Sequence, residues 1–246
     1  MLEFKNLSLK RGKKEILNNV NFSLEKGKIT VLLGENAAGK SSLVSCLLEN
    51  SFKGEINLDG DNLFNLPLKQ RAQKIAIMPQ ILPNLHLSVY DLVSQARLPY
   101  HSVFDKFGKQ DEEAVLKALE TADALNLAWR YVDTLSGGEK QRAFFALLLA
   151  QQSDILVLDE PSNNMDIAHQ KRLVQLLLKM NEEGKTVFAI MHDLNLSFKI
   201  ADNIVVLDKG RVAFFGNREK CAQEGIIEKI FDVKKKIVDG EMFFLT

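Results

Sequence analysis

The chain has 246 residues, 46% of them apolar, ample for the core of one large domain or two small ones. Its 32 basic and 32 acidic residues cancel, so no global field draws it to nucleic acid or to an anionic membrane surface, and any basic site must be local. The longest unbroken apolar run, Ala143 to Ala150, is far short of the ~18 residues that suggest a membrane span, and Cys46 and Cys221 lack the spacing of a disulfide framework or a zinc site.

The opening residues, "MLEFKNLSLK", lack the apolar centre of a signal peptide, and with two unrelated cysteines they point to a reducing cytoplasm. No internal repeat, low-complexity tract or long linker divides the sequence, so one main domain over 1–246 is expected. In chain order, "LEFKNLSLK" and "NVNFSLEKGKITVLL" alternate apolar and polar residues in strand fashion, with "EKG" as a turn. They read as an antiparallel part feeding a buried strand.

Next comes "GENAAGKSS", Gly34 to Ser42, between the run "ITVLL" and the apolar "LVSCLL". Gly34, Gly39, Lys40 and Ser41 have the spacing of a phosphate-cradling loop, placed as required between a strand and a helix. The candidate phosphate-binding set is Gly34, Asn36, Ala37, Ala38, Gly39, Lys40, Ser41 and Ser42. Converging backbone amides and a helix start would hold the phosphates, with Lys40 as a point charge and the Ser41 hydroxyl on magnesium. Ala37 keeps its N–H, so the cradle survives if its φ is negative and is strained if φ is positive. Cys46, beside Val44, Leu47 and Leu48, reads as core.

From Leu82 to about Gln152 a mostly helical insert is expected: "SVYDLVSQA", then "DEEAVLKALETADAL" with Val115, Leu119, Ala122 and Leu125 on one face. "LSGGEKQR" follows, where Ser136 and Glu139 form a capping box. Capping does not explain Gly137 and Gly138, which weaken a first turn but bare its amides, making a second anion site with the serine hydroxyl. "ILVL" and "TVFAIM" read as strands buried on both faces, separated by a helix striped with Leu173, Leu176, Leu177 and Met180; this is the pattern of a mainly parallel sheet. Asp159 and Glu160 come directly after the first of these strands, at the carboxyl end where ligands of open sheets collect. Asp159 suits the magnesium shell, through water, and Glu160 suits orienting and deprotonating a water at the γ-phosphate.

"GENAAGKSS", "LSGGEKQR" and "ILVLDEPS", in this order and spacing, resemble the nucleotide-binding subunit of an ABC transporter over essentially the whole chain. The resemblance implies an α/β P-loop NTPase fold: a mainly parallel, RecA-like sheet core, an N-terminal antiparallel β part and a helical subdomain inserted at about 82–152. It implies ATP and Mg2+ as ligands and a head-to-tail homodimer, in which Ser136, Gly137 and Gly138 close over the γ-phosphate held by the other copy. Gln80 matches the glutamine that touches magnesium and senses the membrane partner, joining Ser41 and Asp159 as metal contacts. Ser162 to Asp166 match the loop that links the two active sites. His192 matches the switch histidine, which contacts the γ-phosphate and forms a catalytic set with Glu160 and Lys40. Two departures stand out: Ala37 replaces a common glycine, and Arg11 sits where an aromatic residue usually stacks on adenine, a role a guanidinium plane can also fill.

"DLVSQARLPYHSVFDKFGKQDEEAVLKALE" and "MHDLNLSFKIADNIVVLDKGRVAFFGN" further resemble subunits serving iron-chelate, haem and vitamin B12 importers. That implies an integral-membrane permease dimer as partner, a substrate-binding protein indirectly, no nucleic acid, and a peripheral place on the inner face of the cell membrane. No regulatory domain is expected after the short tail, whose Lys234 to Lys236 read as a solvated strand edge. A soluble ABC ATPase that moves no solute, a sensor that binds nucleotide without hydrolysing it, and a zinc or manganese importer are the alternatives.

Overall fold

Strand periodicity dominates the first 33 residues. In the computed structural model, which describes residues 1–102, 105–162, 167–238 and 241–245, β1 (Leu2–Arg11) and β2 (Lys14–Leu24) form an antiparallel hairpin turning at Gly12. β3 (Ile29–Leu33) is buried at every position and is followed by α1 (Lys40–Ser45), β4 (Lys53–Leu58) and β5 (Asp61–Asn62). Then come α2 (Leu68–Lys74), β6 (Ile75–Met78), α3 (Val89–Ser94), α4 (Lys109–Thr121), α5 (Gly137–Ala150) and β7 (Ile155–Asp159). α6 (Ile167–Glu182) leads to β8 (Thr186–Ile190), α7 (Leu194–Ile200), β9 (Asn203–Asp208) and β10 (Arg211–Asn217). The tail holds α8 (Arg218–Gln223), α9 (Ile226–Phe231), β11 (Lys234–Val238) and β12 (Glu241–Leu245).

These elements fall into two units, 1–66 with 176–246, and 67–175. In the first, β1 pairs with β2 on one side and β4 on the other, all antiparallel, while β3 runs parallel between β8 and β9. The alternation of β1 and β2 buries Phe4 and Phe22, which stack at 4.4 Å, and Phe22 also meets Phe188 of β8 at 5.8 Å. That aromatic cluster ties the antiparallel part to the parallel strands.

In the second unit β6 and β7 pair in parallel, with α3 and α4 packed on α5. This unit contains the segment 82–152 together with both strands. Val115, Leu119 and Ala122 are buried as expected, but Leu125 is 49% exposed. α4 stops at Thr121 and Asp123 takes a left-handed φ of 53°, so the helical period is broken before it reaches Leu125.

Candidate nucleotide site

The loop that leaves β3 needs its glycines for space. A Cβ on Gly34 would lie 2.4 Å from the carbonyl oxygen of Leu207, and one on Gly39, whose φ is 106°, would lie 2.8 Å from Leu17 Cδ2. The loop is closed by Ala38 N donating to Glu35 O at 3.2 Å and Leu43 N to Gly39 O at 2.9 Å. Gly210 N donates to Ala38 O at 3.1 Å, so the β9–β10 turn braces the loop from behind. Sequence reasoning missed this brace, although "DKG" between two apolar strands is a turn signal.

Lys40 is only 5% exposed, and its Nζ donates to Gly34 O at 2.8 Å and Glu35 O at 3.0 Å. The ammonium is thus fixed inside the loop, where a phosphate is the natural counter-ion. Asn36 and Ala37 are exposed at the loop's tip, Ala38 is buried, and Ser41 and Ser42 are half-buried on α1. Burial pushes the Cys46 thiol up to about 11, with the Arg11 charge opposing the shift, so this cysteine is inert core. Leu48, which follows the end of α1 at Ser45, is 61% exposed. Arg11 is exposed at the end of β1, near enough to α1 for its charge to act on Cys46.

Ala37 has φ 65°, the strained case. A non-glycine residue there costs of order 1–3 kcal/mol. Ala37→Gly is expected to raise the unfolding free energy by about 0.5–1 kcal/mol, read from urea denaturation; an unchanged or lower midpoint would show that the loop is relaxed with alanine.

β3 and β8 run parallel with Leu32 opposite Ile190, so Gly34 and His192 leave the sheet at the same edge. His192 is exposed there, just before Asp193, whose Oδ1 caps α7 by accepting Leu196 N at 2.9 Å.

The second unit carries the acidic groups. Met78 lies opposite Leu158 in the β6–β7 pair, so Gln80 and the pair Asp159 and Glu160 emerge together. Gln80 Nε2 donates to Glu160 Oε2. Both carboxylates are buried, at 6% and 7% exposure, and Glu160 has a left-handed φ of 53° that takes it out of the strand's alternation. Backbone strain of this kind persists only where the surrounding structure over-determines the position.

Ser136 caps α5 as expected: its N and Oγ both donate to Glu139 Oε2 at 2.8 Å, and its Oγ accepts Glu139 N at 3.4 Å. Arg130, which sequence reasoning did not single out, donates to Glu139 Oε1 at 2.5 Å and to Thr134 O at 3.2 Å. The Ser136 backbone N–H above all, then its hydroxyl and Arg130, holds the Glu139 carboxyl down at about 2, so the box stays ionised in any ordinary medium. A Cβ on Gly137 or Gly138 would meet no described atom within 4 Å. Packing within the chain therefore does not ask for either glycine.

In the loop Ser162 to Asp166, residues 163–166 lie outside the described residues. Among the described residues there is no group of three or more His, Cys, Asp or Glu able to hold a metal by itself. Ser41, Gln80 and Asp159 each offer a hard oxygen donor, the ligand chemistry that magnesium favours.

Residues 17–163 match the model of the ABC transporter family. The chain is 36% identical over 242 residues to the probable siderophore transport system ATP-binding protein YusV of Bacillus subtilis (strain 168), covering 96% of this chain and 88% of the relative. It is 35% identical to the ferric enterobactin transport ATP-binding protein FepC of Escherichia coli (strain K12), covering 97% and 89%. Its fold matches an inward-facing transporter assigned to the metal-chelate ABC type with a TM-score of 0.82 at 26% identity, covering 99% of this chain and 95% of that one. It also matches a dimeric, post-hydrolysis structure of the ATP-binding cassette MJ0796 bound to ADP and Pi, with a TM-score of 0.78 at 27% identity, over 89% and 99%. With a phosphate loop closed around Lys40, a buried carboxylate pair and a capped Ser-Gly-Gly helix start, this chain belongs to the ABC transporter family as an ATP-binding and ATP-hydrolysing cassette.

Proposed function

We propose that the chain powers import of a metal chelate such as an iron–siderophore complex, working as a head-to-tail homodimer on the cytoplasmic side of an integral-membrane permease dimer. The observation that carries this reading is near-full-length identity of about 35% to subunits named for siderophore and ferric enterobactin transport. Among the described residues no helix is long and apolar enough to cross a membrane, and in this reading the permease supplies the passage.

In this reading Gly34, Asn36, Ala37, Ala38, Gly39, Lys40, Ser41 and Ser42 hold the ATP phosphates, and Arg11 lies under the adenine. Ser41, Gln80 and Asp159 would hold magnesium, which would supply neutralisation of phosphate charge. Glu160 takes a proton from the attacking water, which His192 helps to position. Ser136, Gly137 and Gly138 of one copy meet the γ-phosphate held by the other. The open face over both glycines supports that approach, since a helix start of this kind offers bare amides to an anion. ATP closes the dimer, hydrolysis lets it reopen, and the permease alternates between its two sides.

The test is co-expression with a metal-chelate permease and its binding protein, followed by uptake measurements in proteoliposomes. ATP-dependent accumulation of a ferric siderophore is expected, abolished by Glu160→Gln. Co-purification with ribosomes or DNA instead of a permease, or metal-chelate uptake indifferent to ATP, would overturn the assignment.

A further inference from the structure

His192 occupies a single-residue joint. On one side Met191 N still donates to Leu32 O at 3.3 Å, and on the other Asp193 is already the N-cap of α7. The direction in which the imidazole leaves the sheet edge is therefore set by how α7 is seated. α7 has seven residues, far fewer than a helix needs to persist by itself, so its seating depends on what packs against it.

The C-terminal strand supplies two anchors. Asn195, in the first turn of α7, reads the backbone of Phe244 in β12 as a neighbouring strand would: Phe244 N donates to Asn195 Oδ1 at 2.7 Å, and Asn195 Nδ2 donates to Phe244 O at 3.2 Å. One turn on, Phe198 meets the Phe244 ring at 4.7 Å, and both rings are 5% exposed. Beside these contacts α7 and β12 line a groove of about 550 Å³, so their contact rests on few groups. Paired β11 fixes the other edge of the hairpin, with Lys235 donating to Ala222 O and lying 3.6 Å from Glu228.

We propose that Asn195 and Phe244 are positioning residues for hydrolysis: the C-terminal strand straps α7 in place and so aims His192. The proposal rests on the switch role given to His192 above. A side chain displaced by one ångström at a reacting centre can cost up to about a hundredfold in rate while leaving substrate affinity intact.

The experiment is steady-state hydrolysis of MgATP by the full-length chain and by Asn195→Ala, Phe244→Ala and a form ending at Gly240. Each is expected to lose about tenfold in kcat with KM for ATP changed by no more than about twofold. Phe244→Leu keeps an apolar anchor and should recover most of kcat, which also covers the case in which the truncated form does not fold. In a His192→Ala background the strap substitutions should cost nothing more, because both act through the same imidazole. Unchanged kcat in Asn195→Ala and Phe244→Ala, or losses that add in full to that of His192→Ala, would overturn the strap. If His192→Ala itself hydrolyses ATP normally, the switch role fails, and the strap falls with it.

Discussion

Glu160→Gln is expected to lower ATP turnover by roughly 10²–10⁴, the usual worth of a positioned general base, while ATP still binds and holds the protein as a dimer on size-exclusion chromatography. The substitution keeps the shape of a side chain that is 7% exposed, and it leaves Gln80 an oxygen to donate to. In the proposed role it removes the proton acceptor and also one negative charge that would repel the γ-phosphate, so affinity for ATP should be kept or tightened. Cavity or packing loss cannot explain such a result, because the two side chains are isosteric. Normal turnover in this variant would take the base role away from Glu160, and lost ATP binding would make the residue structural.

What the sequence made legible follows the range of the forces involved. β3, β7 and β8 are short apolar runs buried at every position, so composition alone marks them, and the capping box of Ser136 and Glu139 is local chemistry within four residues. The phosphate loop is legible for the same reason: its glycines are demanded by contacts that any residue with a Cβ would violate. Backbone sign is not written so plainly. The positive φ of Ala37 and of Glu160 comes from how the surrounding elements over-determine those positions, and neither residue type announces it. Support from distant segments was equally silent. Gly210 bracing Ala38, Arg130 holding Glu139 and Phe244 seated on Asn195 each join residues that only the folded chain brings together. Leu125 shows the opposite error, in which helical periodicity runs past an end that only left-handed Asp123 reveals.

Ser136→Arg should leave ATP binding to the separated chain unchanged and stop hydrolysis, since the phosphate loop around Lys40 is built without Ser136. Loss of the cap would cost about 1 kcal/mol of stability, small beside the loss of activity. Ser136→Asp separates the two effects: aspartate caps a helix as well as serine does, but it sets a negative charge where a γ-phosphate would arrive. It should be as stable as the parent and equally inactive. The decisive measurement mixes Ser136→Arg with Glu160→Gln before ATP is added. If each site joins Glu160 of one copy to Ser136 of the other, a mixed dimer carries both lesions in one site and leaves the second site whole. Random pairing makes about half the dimers mixed, so two inactive proteins should regain about a quarter of normal turnover if the sites fire independently. A site completed within one chain regains nothing on mixing, and that result would end the trans arrangement.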